Sequence, residues 1–346
     1  MSKLATTSSK RWDLSIEMLK AIAALLVMNS HMDVMYGQYS YLGTGGAIGD
    51  VLFFFCSGYG LFLSNRKENF FNWYKRRIQR IIPTVLIISL IGATYALKPQ
   101  RPIVIADLST SWFIYCIFIY YALMYPIKRY ASKYMWWIMG IVAGMTILWY
   151  FAIGVEPIAR GNIYGSTYLK WVFYFLFMLL GAICGRWRMD KKLSTNFENI
   201  QQKKQGHPNA MVIFVGAILS VIAFYAIYIY TQRHAEYEVF QLLSIIPLLG
   251  VCWFLWRFAN TEFSVKMMQS KYLGTVVQFI GGLCLEILLC QGKVFTTSIN
   301  NIFPWNILLI MVGVILFAYV IRTLSRFLLQ TFQKDDYDWH AMIAPF

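Results

Sequence analysis

Residues 15–36, SIEMLKAIAALLVMNSHMDVMY, decide the fold of this chain. The run is mostly apolar and, as a helix, is long enough to cross a hydrocarbon core about 30 Å thick. It nevertheless carries four ionisable side chains, Glu17, Lys20, His31 and Asp33. An ionisable group inside a span costs about 2.5–3.5 kcal/mol near its centre, so such groups face a bundle interior or a wet cavity. The stretch therefore predicts a membrane span with a polar face turned inward.

The rest of the chain has the same apolar character. Of its 346 residues, 58% are hydrophobic and 14% are charged, whereas a soluble domain is about 25% charged. This composition excludes a soluble globular domain and a disordered chain, and it predicts an all-α, polytopic transmembrane helix bundle. We predict about ten spans, near residues 15–36, 46–64, 79–97, 111–127, 135–153, 168–185, 210–230, 239–256, 273–294 and 304–325.

The distribution of Lys and Arg predicts the orientation of these spans. Of 31 such residues, 24 lie before the first span, in alternate loops or after the last span, and six lie on the opposite side. By the positive-inside rule, both termini are cytoplasmic. The net charge of +15 is then an orientation signal, and we expect no nucleic-acid partner. We expect a multi-pass protein of the inner (cytoplasmic) membrane, surrounded by lipids, with a cytoplasmic leader (1–14), a transmembrane domain (15–325) and a short cytoplasmic tail (326–346).

Three of the ionisable side chains of the first span share one helix face. At about 100° per residue, Lys20 and Glu17 are displaced from His31 by roughly 20° and 40°. The rise of about 1.5 Å per residue separates Lys20 from His31 by roughly 16 Å. Glu17 and Lys20 are expected to form a structural ion pair, and Asp33 points elsewhere.

His31 itself has two interpretations. In the first it is an interfacial side chain that reaches outward to water. In the second it is a catalytic base, because the unperturbed pKa of His lies near neutrality.

Several motifs resemble those of the membrane acyltransferase-3 family. They are Glu17-x-x-Lys20 with the later His31, residues 46–59 (GAIGDVLFFFCSGY), residues 75–83 (KRRIQRIIP), Ser111-Trp-Phe with Tyr120-Tyr121 and Pro126, and residues 281–291 (GGLCLEILLCQ). Within the second motif, Gly58 is predicted to allow close helix packing. Three positions depart from the family pattern. Lys20 stands where Arg is usual, Asp50 precedes the usual acidic position by one, and Gln291 replaces a late His.

The resemblance implies an integral membrane acyltransferase. Such an enzyme moves an acyl group, expected to be acetyl, from cytoplasmic acyl-CoA to a hydroxyl of a cell-surface glycan or lipid-linked glycan. Acetyl-CoA is then the donor substrate, and no metal is expected. His31 would be the general base toward the acceptor hydroxyl, with an acyl-histidine intermediate as the variant.

A catalytic imidazole needs an acceptor on its second nitrogen, and two carboxylates are candidates. Glu286, in the ninth predicted span, and Asp50, in the second, are both expected near the level of His31. The alternative for Glu286 is hydrogen bonding to a neighbouring helix. The alternative for Asp50 is capping near the Gly49 turn.

A basic cluster is the candidate donor site. Arg76, Arg77 and Arg80 have the i, i+3 and i, i+4 spacing of one helix face, and guanidinium groups bind phosphates such as those of CoA. We assign Lys20 to the same site. The alternative is that positive-inside sorting and contact with anionic lipids account for the cluster without a ligand.

Two other classes of protein remain open. A proton-coupled transporter or flippase for a lipid-linked glycan would use Glu17, Lys20, His31 and Glu286 as a proton relay. Paired broken helices and a repeat between halves would favour this class, and neither is visible in the sequence. A scaffold in a polysaccharide-synthesis complex is the third possibility.

Overall fold

The computed structural model describes residues 13–64, 68–96, 112–154, 162–165, 167–197, 209–333 and 336–344. Within these ranges every regular element is helical and there is no strand, which confirms the all-α class. Residues 1–12 of the predicted leader lie outside the described residues, as do residues 334–335 and 345–346 of the predicted tail.

The α-helices of these ranges are numbered here in chain order. They are α1 (Leu14–Ser30), α2 (Gly46–Phe62), α3 (Phe70–Ala96), α4 (Trp112–Tyr130), α5 (Met135–Leu148), α6 (Lys170–Phe197), α7 (Ala210–Arg233), α8 (Ile245–Ala259), α9 (Glu262–Met268), α10 (Leu273–Gly282), α11 (Cys284–Cys290), α12 (Trp305–Thr331) and α13 (Trp339–Ile343). A 3-10 segment, Asp33–Leu42, follows α1, and another, Ala235–Ser244, precedes α8.

In the described residues, five helical stretches are long and apolar enough to cross a membrane, and two bent pairs raise that number to seven. The five are Ser132–Ala152, Lys170–Asp190, Ala210–Arg233, Ala235–Ala259 and Trp305–Thr331. The chain is therefore a multi-pass membrane protein. Each predicted span overlaps a described helix or a bent pair, but α2, α3 and α4 lie outside the five to seven candidate spans. The number ten and the cytoplasmic placement of both termini stay predictions.

The two bent pairs depart from the straight spans that hydropathy predicts for residues 15–36 and 273–294. The 3-10 segment Asp33–Leu42 leaves α1 at an angle of 100°, and α10 meets the stretch Cys284–Lys293 at 58°. Broken helices are thus present, although the sequence showed no sign of them. Hydropathy reports the length of an apolar run and not the direction of its backbone.

Asn29 reverses the chain at the end of α1. Its side-chain amide donates hydrogen bonds to the carbonyl oxygens of Leu42 at 2.8 Å and Thr44 at 2.9 Å. These bonds draw the end of the 3-10 segment back to the helix terminus. Neither Pro nor Gly marks this bend in the sequence NSHM of residues 29–32, and the side-chain bonds of Asn29 stabilise the bent arrangement.

Helices α2 and α6 pack backbone to backbone. A Cβ atom added at Gly58 would lie 1.9 Å from the carbonyl oxygen of Met178, and one at Gly181 would lie 2.0 Å from that of Phe55. Small residues permit this close approach between membrane helices, so the packing role predicted for Gly58 is confirmed. Fully buried aromatic rings surround the contact: Phe54, Phe55, Tyr59, Phe173, Tyr174 and Phe177.

Helix α1 is held between α2 and α10. Asp13 is its N-cap, and the carboxylate of Asp13 accepts a hydrogen bond from Tyr59 of α2 at 2.8 Å. On the other side, a Cβ atom at Gly281 of α10 would lie 2.3 Å from the carbonyl oxygen of Glu17. These contacts fix the helix that carries Lys20 and ends at His31.

Candidate functional site

A cavity of about 680 Å³ opens between α1, α2, α3, α4 and α11. The four cations that the sequence assigned to the donor site, Lys20, Arg76, Arg77 and Arg80, all line it. The rest of its wall is largely apolar and includes Phe53, Ile81, Phe113, Ile117, Leu285 and Leu288. The cavity therefore joins a cationic wall to an apolar one, which suits a ligand with both anionic and apolar parts.

Lys20 is already partnered within α1. Its Nζ lies 2.8 Å from a carboxylate oxygen of Glu17, which is 6% exposed. The predicted ion pair is thus confirmed, and it neutralises two charges at one turn of the helix. Lys20 still reaches the cavity wall.

The three arginines of α3 differ in their partners. Arg76 forms an ion pair with Glu68. Arg77 lies 4.0 Å from the centre of the Trp73 ring and donates a hydrogen bond to the Trp73 carbonyl oxygen at 2.8 Å. In the part of the chain that the structure describes, Arg80 forms no ion pair and no hydrogen bond through its side chain. Of the three arginines, Arg80 is thus the one without a described hydrogen bond or ion pair, and the carboxylate of Glu286 lies within its electrostatic range.

His31 lies at the other end of α1, where it is the C-cap. It follows Lys20 by eleven positions, or roughly 16 Å along the helix axis. The residue is exposed, and its imidazole makes no hydrogen bond or ion pair with any described residue. Asp33 is the charged group within electrostatic range of the imidazole. The ring is therefore accessible to a substrate, and its location is set by its backbone.

Asp50 belongs to a polar cluster between α2, α4 and α6. It accepts a hydrogen bond from the Tyr174 hydroxyl at 3.4 Å, and Lys170 lies within electrostatic range. Lys170 is buried, and its Nζ lies 4.1 Å from the centre of the Trp112 ring. These partners join three helices. Among the described contacts, Asp50 has none with His31.

Glu286 is buried in α11 and faces cations. The basic groups within electrostatic range are Arg322 and Arg326 of α12, together with Arg80 of the cavity. Arg326 also donates a hydrogen bond to the carbonyl oxygen of Met342 in α13, at 3.1 Å. Glu286 thus balances positive charge where α3, α11 and α12 meet.

The residues that line the cavity also show near which end of α1 Glu286 lies. Cys284, two residues before it, lines the same cavity as Lys20. Lys20 precedes His31 by roughly 16 Å of helix. The structure therefore brings Glu286 to the donor-site cations, and no described hydrogen bond or ion pair joins it to His31.

Two polar residues near the ends of predicted spans escaped the sequence analysis as site candidates. Lys170 was counted only as one of the outer-side charges, although it lies in the span predicted for residues 168–185. Asn306, in the span predicted for 304–325, is fully buried. A polar side chain inside a span is a signal by itself, and searching for amides as well as charges would have found both.

Among the described residues, no group of three or more His, Cys, Asp and Glu side chains could hold a metal ion. The described residues of the candidate site are an exposed histidine and cations around a largely apolar cavity.

Comparison with known proteins adds one finding to this geometry. A family model described as an acyltransferase domain matches residues 13–323. Searches of curated proteins and of solved structures found no match. The matched range contains α1 to α11 and most of α12, and with them every residue of the candidate site.

Proposed function

The chain belongs to the acyltransferase-3 family of membrane acyltransferases, and we propose that it moves an acetyl group from cytoplasmic acetyl-CoA to a hydroxyl of a cell-surface glycan or glycolipid. The reaction would take place in the inner (cytoplasmic) membrane. The observation that supports this proposal best is the single cavity shared by Lys20, Arg76, Arg77 and Arg80.

The cavity fits an acyl-CoA donor in two respects. Its arginines offer forked donors that match phosphate oxygens, and Arg80 has no competing hydrogen bond or ion pair in the described ranges. Its apolar wall, from Phe53 to Leu288, offers a surface for the pantetheine arm, and the proposed reaction requires this arm to carry the thioester along α1 to His31. If the donor binds at the Lys20 end of α1, the acceptor can approach His31 at the other end.

His31 is the proposed general base. Its imidazole takes the proton from the acceptor hydroxyl as the oxygen attacks the thioester carbonyl. The carbon–sulfur bond then breaks, CoA leaves as the thiol after receiving a proton, and the acyl group stays on the acceptor oxygen as an ester. In the variant mechanism, the imidazole attacks first and carries the acyl group as acyl-histidine.

The two carboxylates take different proposed places in this scheme. Glu286 is surrounded by cations, which supports a role in neutralising the positive charge of the donor site rather than in orienting the His31 imidazole. Asp50 interacts with Lys170 and Tyr174 of α6. Its proposed role is therefore to hold α2 against α6. An orienting role of either residue toward His31 stays a prediction without a described contact.

A transporter or flippase of a lipid-linked glycan is the second candidate function, because of the two bent helix pairs. They lie near opposite ends of the chain, at angles of 100° and 58°, and broken helices in corresponding positions are typical of transporters.

Thiol release separates the two functions. Purified full-length protein is given acetyl-CoA, with and without extracted surface glycans, and free CoA thiol is measured. The acyltransferase should release thiol in step with ester formed on the glycan. Glycan movement across vesicle membranes without thiol release would establish the transporter instead.

A further inference from the structure

The backbone on both sides of His31 is held by side-chain amides. On the preceding side, Asn29 donates to the carbonyl oxygens of Leu42 and Thr44. The carbonyl oxygen of Asn29's own side chain accepts a hydrogen bond from the Tyr36 hydroxyl at 2.5 Å. The 3-10 segment that follows His31 is therefore closed onto the end of α1.

A second set of contacts reaches this segment from α12 and from the residues just before it. The Asn306 amide donates to the carbonyl oxygen of Met35 at 2.9 Å and to the side-chain oxygen of Asn300 at 3.2 Å. Asn300 in turn donates to the carbonyl oxygen of Val34 at 3.1 Å. The ring of Phe303 packs on Tyr36 and, stacked at 5.6 Å, on Tyr39.

Packing alone does not explain an Asn side chain at position 306. It is 0% exposed, and a buried amide is unfavourable unless its polar atoms are bonded. Its side-chain oxygen has no partner among the described residues, so part of this unfavourable burial is uncompensated. An apolar residue of similar size would avoid that, but it would release the backbone of Met35.

The location of these bonds relates Asn306 to His31. Val34 and Met35 lie three and four residues after His31. The imidazole has no hydrogen bond or ion pair of its own in the described ranges, so its backbone determines where it stands. The position of that backbone is set by Asn29 before it and by Asn306 and Asn300 after it.

We propose that Asn306 is a positioning residue that holds the segment after His31 and so places the imidazole for acyl transfer. The inference rests on the proposed function of His31. Misplacing a catalytic group by about 1 Å costs on the order of 10²-fold in rate. Loosening the segment should therefore reduce turnover while leaving the donor cavity, at the other end of α1, unchanged.

The test replaces Asn306 with apolar side chains that cannot donate. Asn306→Leu is similar in size to Asn, and Asn306→Val also lacks the donor. The matched control is Asn260→Leu, because Asn260 likewise donates from its amide to a backbone carbonyl, that of Trp256 at 2.8 Å, at the end of α8. For each protein, kcat and the KM for acetyl-CoA are measured, with hydrogen–deuterium exchange of residues 33–42.

Both Asn306 variants should lose about 10- to 100-fold in kcat, keep the KM for acetyl-CoA within about twofold of wild type, and exchange faster in residues 33–42. Asn260→Leu should match wild type in all three. Faster exchange with unchanged kcat in the Asn306 variants would show a merely structural bond and overturn the proposal. A donor KM raised together with a lower kcat would overturn it too, because the defect would then extend to the cavity.

His31→Gln in the same assay separates this proposal from the proposed function. If His31→Gln is inactive and the Asn306 variants are fully active, only the positioning role fails. If His31→Gln keeps the wild-type rate, the proposed function of His31 fails and the positioning role fails with it.

Discussion

At the scale of single residues, the cations of the cavity are not equivalent. Arg76 is paired with Glu68, and Arg77 is stacked on Trp73. Both are therefore partly occupied in holding the protein together. Arg80 lines the same cavity without such a bond in the described ranges, so a donor phosphate meets the least competition there.

Arg80→Ala should consequently raise the KM for acetyl-CoA at least about tenfold, since a hydrogen bond to a charged group contributes about 1.5–3 kcal/mol. The control is Lys75→Ala, because Lys75 is an exposed cation of the same helix that does not line the cavity. Steady-state kinetics of thiol release measures both. Equal donor KM values in the two variants would support the alternative in which the cluster serves only orientation and lipid contact.

At the scale of helices, the contact between α2 and α6 depends on the absence of a side chain at one position. Gly58 meets backbone of α6, whereas nothing lies within 4 Å of a Cβ atom placed at Gly60, two residues away. Helix α2 thus contains one glycine in close contact with α6 and, two residues later, one glycine without such a contact.

Gly58→Ala should destabilise the protein by about 1–3 kcal/mol, because overpacking a tight contact forces the backbones apart. Gly60→Ala should be neutral or slightly stabilising, since Ala has the higher helix propensity. Thermal unfolding of the purified proteins in detergent tests the pair. A Gly58→Ala protein that unfolds at the wild-type temperature would contradict the close contact of α2 with α6.

The helices were largely predictable from the sequence, and the reason is hydropathy. Each apolar block near span length overlaps a described helix or bent pair, and the cations Lys20, Arg76, Arg77 and Arg80 line one cavity. The bend after Ser30 was not predictable. It depends on bonds from Asn29 to residues 13 and 15 positions away along the chain, and periodicity carries no information about such pairs.

The neighbours of the carboxylates were out of reach of the sequence for the same reason. Counting residues from the start of each span placed Glu286 near the level of His31. In the structure the cations near Glu286 come from α12 and α3, and which helices adjoin is decided by packing. Counting residues along a span thus does not establish which residues adjoin Glu286.

At the scale of the whole molecule, the orientation decides which substrate meets which end of α1. Both ends of the chain are predicted inside, so the segment after His31 should lie outside and the loop between α9 and α10 inside. Tyr41 in the first and Tyr272 in the second are 72% and 80% exposed. Both positions are therefore suited to labelling.

A membrane-impermeant maleimide should label Tyr41→Cys in cells with an intact membrane and Tyr272→Cys only after permeabilisation. The wild-type protein, whose cysteines are buried apart from the half-buried Cys284, is the background control. The reverse labelling pattern would exchange the sides assigned to donor and acceptor.

In the proposed reaction, an acyl group enters at the cationic cavity, predicted to lie on the cytoplasmic side, and is transferred at His31. Its most direct test gives radiolabelled acetyl-CoA to inside-out membrane vesicles and counts the label in extracted glycans. The control substitution is His234→Gln, because His234 is an exposed histidine outside the candidate site. We predict label with the wild type and His234→Gln, and at least a tenfold loss with His31→Gln, since general base catalysis contributes about 10²–10⁴-fold. Equal label with His31→Gln, or equal label when the donor reaches only the opposite face, would contradict the account.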